Sequence, residues 1–221
     1  MLFKDRTAAG QVLAQKLADY ANRPNVLVLA LPRGGVPVGF EVAQALNAPL
    51  DVLIVRKLGV PENEELAMGA IASGGVRILN QSIVEQVQIP DEVIARVAAQ
   101  QQRELERRET MYRGDRPFPD LKDKIVILVD DGLATGATMW AAIIAVRQKQ
   151  PQEIVVAVPV AAPETCEEIC SKVEKVICAN TPSPFYSVGM WYEKFSQTTD
   201  DEVRELLNKA TNNHQPLFFG K

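Results

Sequence analysis

The sequence predicts an α/β protein built on a parallel, doubly wound sheet. Short, continuous apolar runs such as Val26–Leu31 and Ile125–Val129 are typical of strands that are buried on both faces. Helical patterns follow these runs, and the alternation of strand and helix indicates a parallel sheet covered by helices on both sides. A length of 221 residues suits one such domain with a small appendage. We therefore expect residues 1–221 to form a single domain.

The predicted strands are apolar runs bounded by glycine, proline or charged residues. Arg33-Gly34-Gly35 ends the first run, and Arg56-Lys57 ends the second. Gly74-Gly75 forms a turn between two short runs. In chain order, the predicted strands are Val26–Leu31, Leu50–Val55, Gly69–Ser73, Val76–Leu79, Ile125–Val129, Ile154–Val160 and Val176–Ala179.

The predicted helices carry apolar residues on one face or end at a breaker. Val38, Val42 and Ala45 share a face, and Pro151 stops the helix that begins at Ala137. Two segments look irregular: Thr110–Asp120 has two prolines and a glycine, and Asn180–Phe195 is aromatic and resembles a cap or rim. The predicted helices are Thr7–Tyr20, Val36–Leu46, Pro90–Glu109, Ala137–Gln150, Pro163–Val173 and Asp200–Lys209.

Composition excludes several classes of function. The net charge of −4 argues against a general nucleic-acid or anionic-membrane surface, because such surfaces usually carry a basic excess. No apolar run is long enough to span a membrane, and no secretory signal is visible at the start. The three cysteines, Cys166, Cys170 and Cys178, form no even disulfide framework, so we expect structural thiols in a reducing cytoplasm.

The loop Asp130–Thr138 is the strongest functional signal. It joins a fully apolar strand to a helix, and a helix N-terminus offers unpaired backbone N–H groups that favour a phosphate. Gly132 and Gly136 let the backbone curl around an anion. The two aspartates would repel a phosphate on contact, so we expect them to accept hydrogen bonds from adjacent sugar hydroxyls or to bind Mg²⁺. The loop therefore predicts a site for a sugar phosphate.

Two other interpretations of this loop remain. Aspartate and threonine are also common in a plain capped turn between a strand and a helix. A generic nucleotide site is the stronger alternative, although the chain has neither G-x-x-x-x-G-K-[ST] nor G-x-G-x-x-G after a strand.

The run VILVDDGLATGATM resembles the binding motif for 5-phosphoribosyl 1-pyrophosphate (PRPP) in type I phosphoribosyltransferases. Over the whole chain, the PRGG segment (Pro32–Gly35) and the RKLG segment (Arg56–Gly59) are similar to those of bacterial phosphoribosyltransferase-like proteins. The resemblance implies a type I phosphoribosyltransferase-like core with a small irregular hood at residues 180–196. It also implies that Asp130 and Asp131 hold the ribose 2- and 3-hydroxyls. The implied phosphate-binding residues are Gly132, Leu133, Ala134, Thr135, Gly136, Ala137 and Thr138.

Cationic and glycine-rich residues after two other strands suggest a pyrophosphate site. In the family the loop after the first core strand binds pyrophosphate, often through a cis peptide that does not involve proline. The alternative for the loop around Arg33-Gly34-Gly35 is a plain turn between a strand and a helix. The alternative for Arg56 and Lys57 is that their side chains are merely solvated. We expect Glu62, Glu64 and Glu65 to form a solvated acidic turn; contact of one of them with a metal or with Arg56 is the alternative. The implied pyrophosphate-binding residues are Arg33, Gly34, Gly35, Arg56 and Lys57.

Two further segments acquire roles only through the resemblance. Type I enzymes have a mobile loop just before the PRPP motif. In this chain Tyr112, Arg113 and Arg116 occupy that position. The alternative is that these residues belong to a solvated helix and surface loop. The segment around Phe185–Glu193 resembles the part that packs on the base in purine-type members, with a simple hydrophobic rim as the alternative. The base-side candidates are Tyr186, Val188, Trp191 and Tyr192.

The expected function is Mg²⁺-dependent transfer of the phosphoribosyl group of PRPP to a small nitrogenous acceptor, a nucleobase in purine salvage. Asp130 and Asp131 fix the ribose and are the candidate metal ligands, unless Mg²⁺ binds through PRPP and water. Arg33 and Lys57 stabilise the departing pyrophosphate. The resemblance also implies a homodimer. A non-catalytic PRPP sensor and an enzyme that acts on a ribose 5-phosphate ester without a base remain open.

Overall fold

The computed structural model describes residues 1–61 and 63–214, within which the elements follow the predicted α/β order. The strands are β1 (Val26–Ala30), β2 (Leu50–Val52), β3 (Val55–Val60), β4 (Asn63–Ala72), β5 (Val76–Leu79), β6 (Ile125–Val129), β7 (Glu153–Val160) and β8 (Lys175–Asn180). The helices are α1 (Arg6–Lys16), α2 (Gly35–Leu46), α3 (Gln81–Val87), α4 (Asp91–Arg113), α5 (Ala137–Arg147), α6 (Pro163–Cys170) and α7 (Asp200–His214).

Five strands form a parallel sheet in the order β2-β1-β6-β7-β8, which confirms the predicted fold class. Every residue of β1 and β6 is buried. Successive side chains of a strand point to opposite faces, so a strand covered on both sides must be apolar throughout. Val28 and Ile127 pack with α1, α2 and α7 on one face, whereas Leu29 and Leu128 pack with α5 and α6 on the other.

The register of the two central strands places their following loops side by side. Ala30 pairs with Val129, so β1 and β6 end at the same level of the sheet. The backbone N–H of Leu31 then donates to the carbonyl of Val129 at 2.8 Å, which continues the pairing into the loop. The predicted sugar-phosphate loop and the PRGG loop therefore meet at one edge.

The prediction of a single strand over Leu50–Val55 that ends at Arg56-Lys57 is wrong. The core strand β2 stops at Val52, and β3 belongs to a separate antiparallel sheet, β3-β4-β5. The chain changes its hydrogen-bond partner at Ile54, whose backbone N–H donates to the Ser73 hydroxyl and whose carbonyl accepts from the Ser73 N–H. Leu53 and Ile54 are both buried, so the apolar run continues through the change of sheet.

The prediction of a loop over Thr110–Asp120 is wrong for its first four residues. Helix α4 continues to Arg113, and both Tyr112 and Arg113 are buried. The Arg113 guanidinium is paired with Asp51 and Glu109, each at 2.9 Å, and it also donates to the carbonyl of Val52. These contacts hold the last turn of α4, so Tyr112 and Arg113 lie in a helix and not in a loop. The short helix α3 was not predicted; Asn80 caps it.

The segment after β8 is irregular, as predicted, and it covers one end of the core. It contains a 3₁₀ turn at Val188–Trp191 and pairs with the amino-terminal segment through a bridge between Phe3 and Tyr192. Cys166 and Cys178 are free thiols whose sulfur atoms lie 2.7 Å apart. Among the described helices, none combines the length and apolar character that crossing a membrane requires.

Candidate active site

The PRGG loop packs directly against the paired aspartates. A Cβ added at Gly34 would lie 2.0 Å from Asp131 Oδ2, and one at Gly35 would lie 2.9 Å from the Cα of Asp130. Glycine is therefore required at both positions for the two loops to approach. The Pro32–Arg33 peptide bond is cis, as the family resemblance implies for this loop.

One oxygen of each of the two carboxylates accepts a hydrogen bond from a group of the protein. Asp130 Oδ1 accepts from the Asp131 backbone N–H at 2.8 Å, and Asp131 Oδ2 accepts from Arg6 Nε at 2.8 Å. Within residues 1–61 and 63–214, no side chain or backbone group donates to Asp130 Oδ2 or Asp131 Oδ1. One oxygen of each adjacent carboxylate thus remains without a donor among the described residues, which suits hydroxyl groups or a cation as partners.

Burial and mutual repulsion disfavour the charged forms of this pair. Burial first, and then the neighbouring Asp131, raise the pKa of Asp130 well above its usual value. Burial also raises the pKa of Asp131, although the Arg6 guanidinium opposes that shift. Groups that donate hydrogen bonds or positive charge to the free oxygens would relieve this repulsion.

The loop from Leu133 to Thr138 is anchored to the protein at Leu133 and Ala134 and exposed to solvent at most of its other residues. Leu133 is buried, and its backbone N–H and carbonyl bond to Val160 and Ala162. The Thr165 hydroxyl donates to the carbonyl of Ala134 at 2.6 Å. Ala134, Thr135, Ala137 and Thr138 are exposed around the first turn of α5.

Gly136 makes the sharp entry into α5 possible. It has a φ of +69°, and a Cβ there would lie 2.7 Å from the methyl group of Thr165. The exposed turn that follows offers the unpaired N–H groups of a helix N-terminus. This arrangement suits a phosphate at the position that the sequence predicted.

The predicted pyrophosphate cations lie on different elements: Arg33 is in the PRGG loop, whereas Arg56 and Lys57 are on β3. Arg33 stays in the PRGG loop, 3.8 Å from Asp200 at the start of α7. Arg56 turns instead to α4, where its Nε donates to Gln101 at 2.9 Å. Burial and the nearby Arg108 lower the pKa of Arg56. Arg56 therefore lies within a strand of the second sheet and not at the end of a core strand, as the sequence predicted; its part in a pyrophosphate site stays a prediction.

Lys57 lines a cavity together with the first turn of α5. It is exposed on β3 and borders an apolar cavity of about 330 Å³ that Ala137 and Trp140 of α5 also line. It borders a second cavity, of about 510 Å³, with Glu64 and Arg96. Glu62 lies outside the described residues.

Of the mobile-loop candidates, only Arg116 lies beyond α4. It is exposed, and its guanidinium donates to the Thr211 hydroxyl at 2.7 Å. Tyr112 is buried and donates to Asp200, the carboxylate that also faces Arg33. Tyr112 is therefore linked to Arg33 of the PRGG loop through Asp200, whereas Arg113 contacts Asp51 and Val52 at the end of β2.

The base-side candidates occupy different positions around the aspartate loop. Val188 covers Gly132, since a Cβ on that glycine would lie 2.5 Å from Val188 Cγ1. Tyr192 is buried, and its hydroxyl donates to the Asp131 carbonyl at 2.6 Å, so it supports the loop. Tyr186 is 75% exposed. Trp191 keeps a buried indole N–H for which the described residues supply no acceptor.

Three residues that sequence reasoning missed complete the site. Arg6 contacts Asp131, Thr165 donates to Ala134 in the loop after β6, and Asp200 faces Arg33. Each lies in a helix remote in sequence from the residue it contacts, in a stretch with no motif, so no local pattern marks it.

Three comparisons place the chain among known proteins. Residues 4–190 match the family model for the phosphoribosyl transferase domain. The Mycobacterium tuberculosis protein Rv0571c, provisionally named a phosphoribosyl transferase, is 46% identical over 209 residues, which cover 95% of this chain. That match covers 47% of the Mycobacterium protein, so the chain spans about half the length of this relative.

Two solved structures share the fold. TT1426 from Thermus thermophilus has a TM-score of 0.83 and 42% identity, over 95% of this chain and 99% of that one. The AQ2163 protein from Aquifex aeolicus is 16% identical, with a TM-score of 0.50, over 83% of this chain and 78% of its own.

Proposed function

Because the chain belongs to the phosphoribosyltransferase family, we propose that it transfers the 5-phosphoribosyl group of PRPP to a nitrogen of a small acceptor and releases pyrophosphate. The observation that carries the proposal is the pair of free oxygens, Asp130 Oδ2 and Asp131 Oδ1, set between two strand-to-helix loops. Two vicinal ribose hydroxyls match that pair. The exposed turn of α5 suits the 5-phosphate, and the PRGG loop suits the pyrophosphate.

The proposed mechanism depends on positioning and on charge. The acceptor nitrogen bonds to C1 of the ribose as the bond from C1 to pyrophosphate breaks, and the departing oxygen keeps the electron pair. Asp130 and Asp131 hold the ribose and so align C1 with the acceptor. Arg33, the loop amides and Lys57 offset the negative charge that grows on pyrophosphate. No residue has to form a covalent bond to the substrate.

The site is suited to Mg²⁺ that is bound jointly with the substrate. Mg²⁺ is usually held by one or two carboxylates together with substrate phosphates and water. Asp130 and Asp131 offer two such oxygens, and the described residues contain no group of three or more acidic, histidine or cysteine side chains placed to hold a metal by themselves. The ion would supply positive charge to the pyrophosphate.

We propose a nucleobase of the purine type as the acceptor. Val188 and Trp191 lie in an apolar cluster at the hood, and Val188 covers Gly132 beside the aspartates.

Pyrophosphate release tests this function. The full chain is incubated with PRPP and Mg²⁺ and with each member of a panel of purines, pyrimidines and simple amines. We expect release that depends on one class of acceptor, with a stoichiometric nucleotide product. Tight PRPP binding without turnover on any acceptor would favour a PRPP sensor, and hydrolysis without an acceptor would favour the ribose 5-phosphate ester enzyme.

Gly34→Ala is expected to weaken PRPP binding by about tenfold or more, because the methyl group needs the space of Asp131 Oδ2. Isothermal titration with PRPP measures the effect. Gly75→Ala is the matched control: it has a φ of +75° and no atom within 4 Å of the new Cβ. That substitution should lower stability by about 1 kcal/mol and leave PRPP affinity unchanged. Equal affinity of Gly34→Ala and the unsubstituted protein would contradict the proposed close approach of the loops.

A further inference from the structure

Arg6 joins three parts of the site through one guanidinium group. Its Nε donates to Asp131 Oδ2 at 2.8 Å, and one terminal nitrogen donates to the carbonyl of Ser196 at 2.7 Å. The guanidinium carbon lies 4.0 Å from the centre of the Phe195 ring. The Arg6 side chain is 12% exposed and the Asp131 side chain 16%, so water screens this ion pair only partly.

We propose that Arg6 is a positioning residue for the ribose: it fixes the Asp131 carboxylate so that Oδ1 faces the ligand. This inference rests on the proposed function. An aspartate side chain can rotate about its terminal bond, which has a broad, roughly two-fold preference. The bond from Arg6 to Oδ2 removes that freedom and leaves Oδ1 as the oxygen without an internal donor in the described structure.

Arg6 contributes a positive charge as well as a hydrogen bond. Asp130 and Asp131 are adjacent and partly buried, so their negative charges repel one another before any ligand binds. Arg6 is the cation that forms an ion pair with this pair of carboxylates within the described residues. A neutral side chain at position 6 would leave the repulsion uncompensated and the carboxylate free to turn.

The hood holds Arg6 in turn. Phe195 lies against its face, and the Phe195 ring stacks on Tyr192, with ring centres 5.0 Å apart. Tyr192 donates to the backbone carbonyl of Asp131, while Arg6 holds the side chain of the same residue. Asp131 is thus fixed at two points by segments from opposite ends of the chain.

The test compares ligands that do and do not carry the ribose. Affinities for ribose 5-phosphate and for inorganic pyrophosphate, each with Mg²⁺, are measured on the full chain for Arg6→Met and Arg6→Lys. We expect Arg6→Met to lower the affinity for ribose 5-phosphate about tenfold or more and the affinity for pyrophosphate less than about twofold. Arg6→Lys should recover part of the loss, because it restores the charge but not the fork of donors.

Arg23→Met is the matched control, since Arg23 also lies over an aromatic ring, that of Tyr20, but on the exposed surface. It should change neither affinity. If Arg6→Met does not fold, Arg6→Gln supplies the same comparison, because it keeps a donor and removes the charge.

The outcomes separate this inference from the proposed function. If the unsubstituted protein binds neither PRPP nor ribose 5-phosphate, the proposed function is wrong. If it binds ribose 5-phosphate and Arg6→Met binds it equally well, the positioning role is wrong. Equal losses for ribose 5-phosphate and pyrophosphate, or no recovery in Arg6→Lys, would also contradict positioning and indicate a general structural role.

Discussion

Replacement of both Asp130 and Asp131 by asparagine is expected to weaken PRPP binding at least about 100-fold and to leave the chain folded. A hydrogen bond to a charged group contributes roughly 1.5–3 kcal/mol, so the loss of two such bonds to the ribose amounts to several kcal/mol. Asparagine has nearly the same shape, and its side-chain oxygen can still accept from Arg6. Burial raises the pKa of both aspartates, so removing their charge also removes a desolvation penalty.

Titration of PRPP in the presence of Mg²⁺ measures this loss, and circular dichroism reports the fold. Asp120→Asn with Asp123→Asn is the matched control, because it makes the same change in net charge at two exposed aspartates before the amino end of β6. The control should bind PRPP normally. Unchanged affinity in the Asp130/Asp131 variant would show that the ribose assignment is wrong.

Arg113→Met is expected to lower the free energy of unfolding by about 3–5 kcal/mol. The Arg113 side chain is 2% exposed, and its removal would leave Asp51 without its partner in a partly buried position. The carbonyl of Val52, at the end of β2, would lose its donor as well. Few single substitutions have effects of this size, and disruption of a buried hydrogen-bond or ion-pair network is one of the known causes.

Urea unfolding, followed by circular dichroism, measures the change. Arg116→Met is the control: Arg116 is exposed, so its substitution should change stability by less than about 1 kcal/mol. If Arg113→Met unfolds at the same urea concentration as the unsubstituted protein, Arg113 is not part of the scaffold. A loss of turnover with full stability would restore the mobile-loop assignment.

Local sequence was sufficient to predict the centre of the fold. In Ile125–Val129 and the nine residues that follow, burial, turn geometry and helix start all depend on neighbouring residues, so the strand, the loop and the start of α5 were correct. The same holds for the Gly74-Gly75 turn, where both glycines have positive φ.

The errors arose where tertiary contacts decide the structure. The apolar run through Leu53 and Ile54 stays buried while the chain passes from one sheet to another, so hydrophobicity gives no sign of the boundary. Arg113 follows a highly charged stretch of helix, which looks solvated until Asp51 is placed beside it. Arg6 contacts an aspartate 125 residues away. Such pairings appear only when the chain is folded.

Binding of PRPP to the unsubstituted chain tests the central claim most directly. The free oxygens of Asp130 and Asp131, the open turn at α5 and the PRGG loop together predict saturable binding, one PRPP per chain, strengthened by Mg²⁺. Isothermal titration would show this as a single transition that ribose 5-phosphate competes away. Absence of binding by PRPP and by ribose 5-phosphate at millimolar concentration would contradict the account.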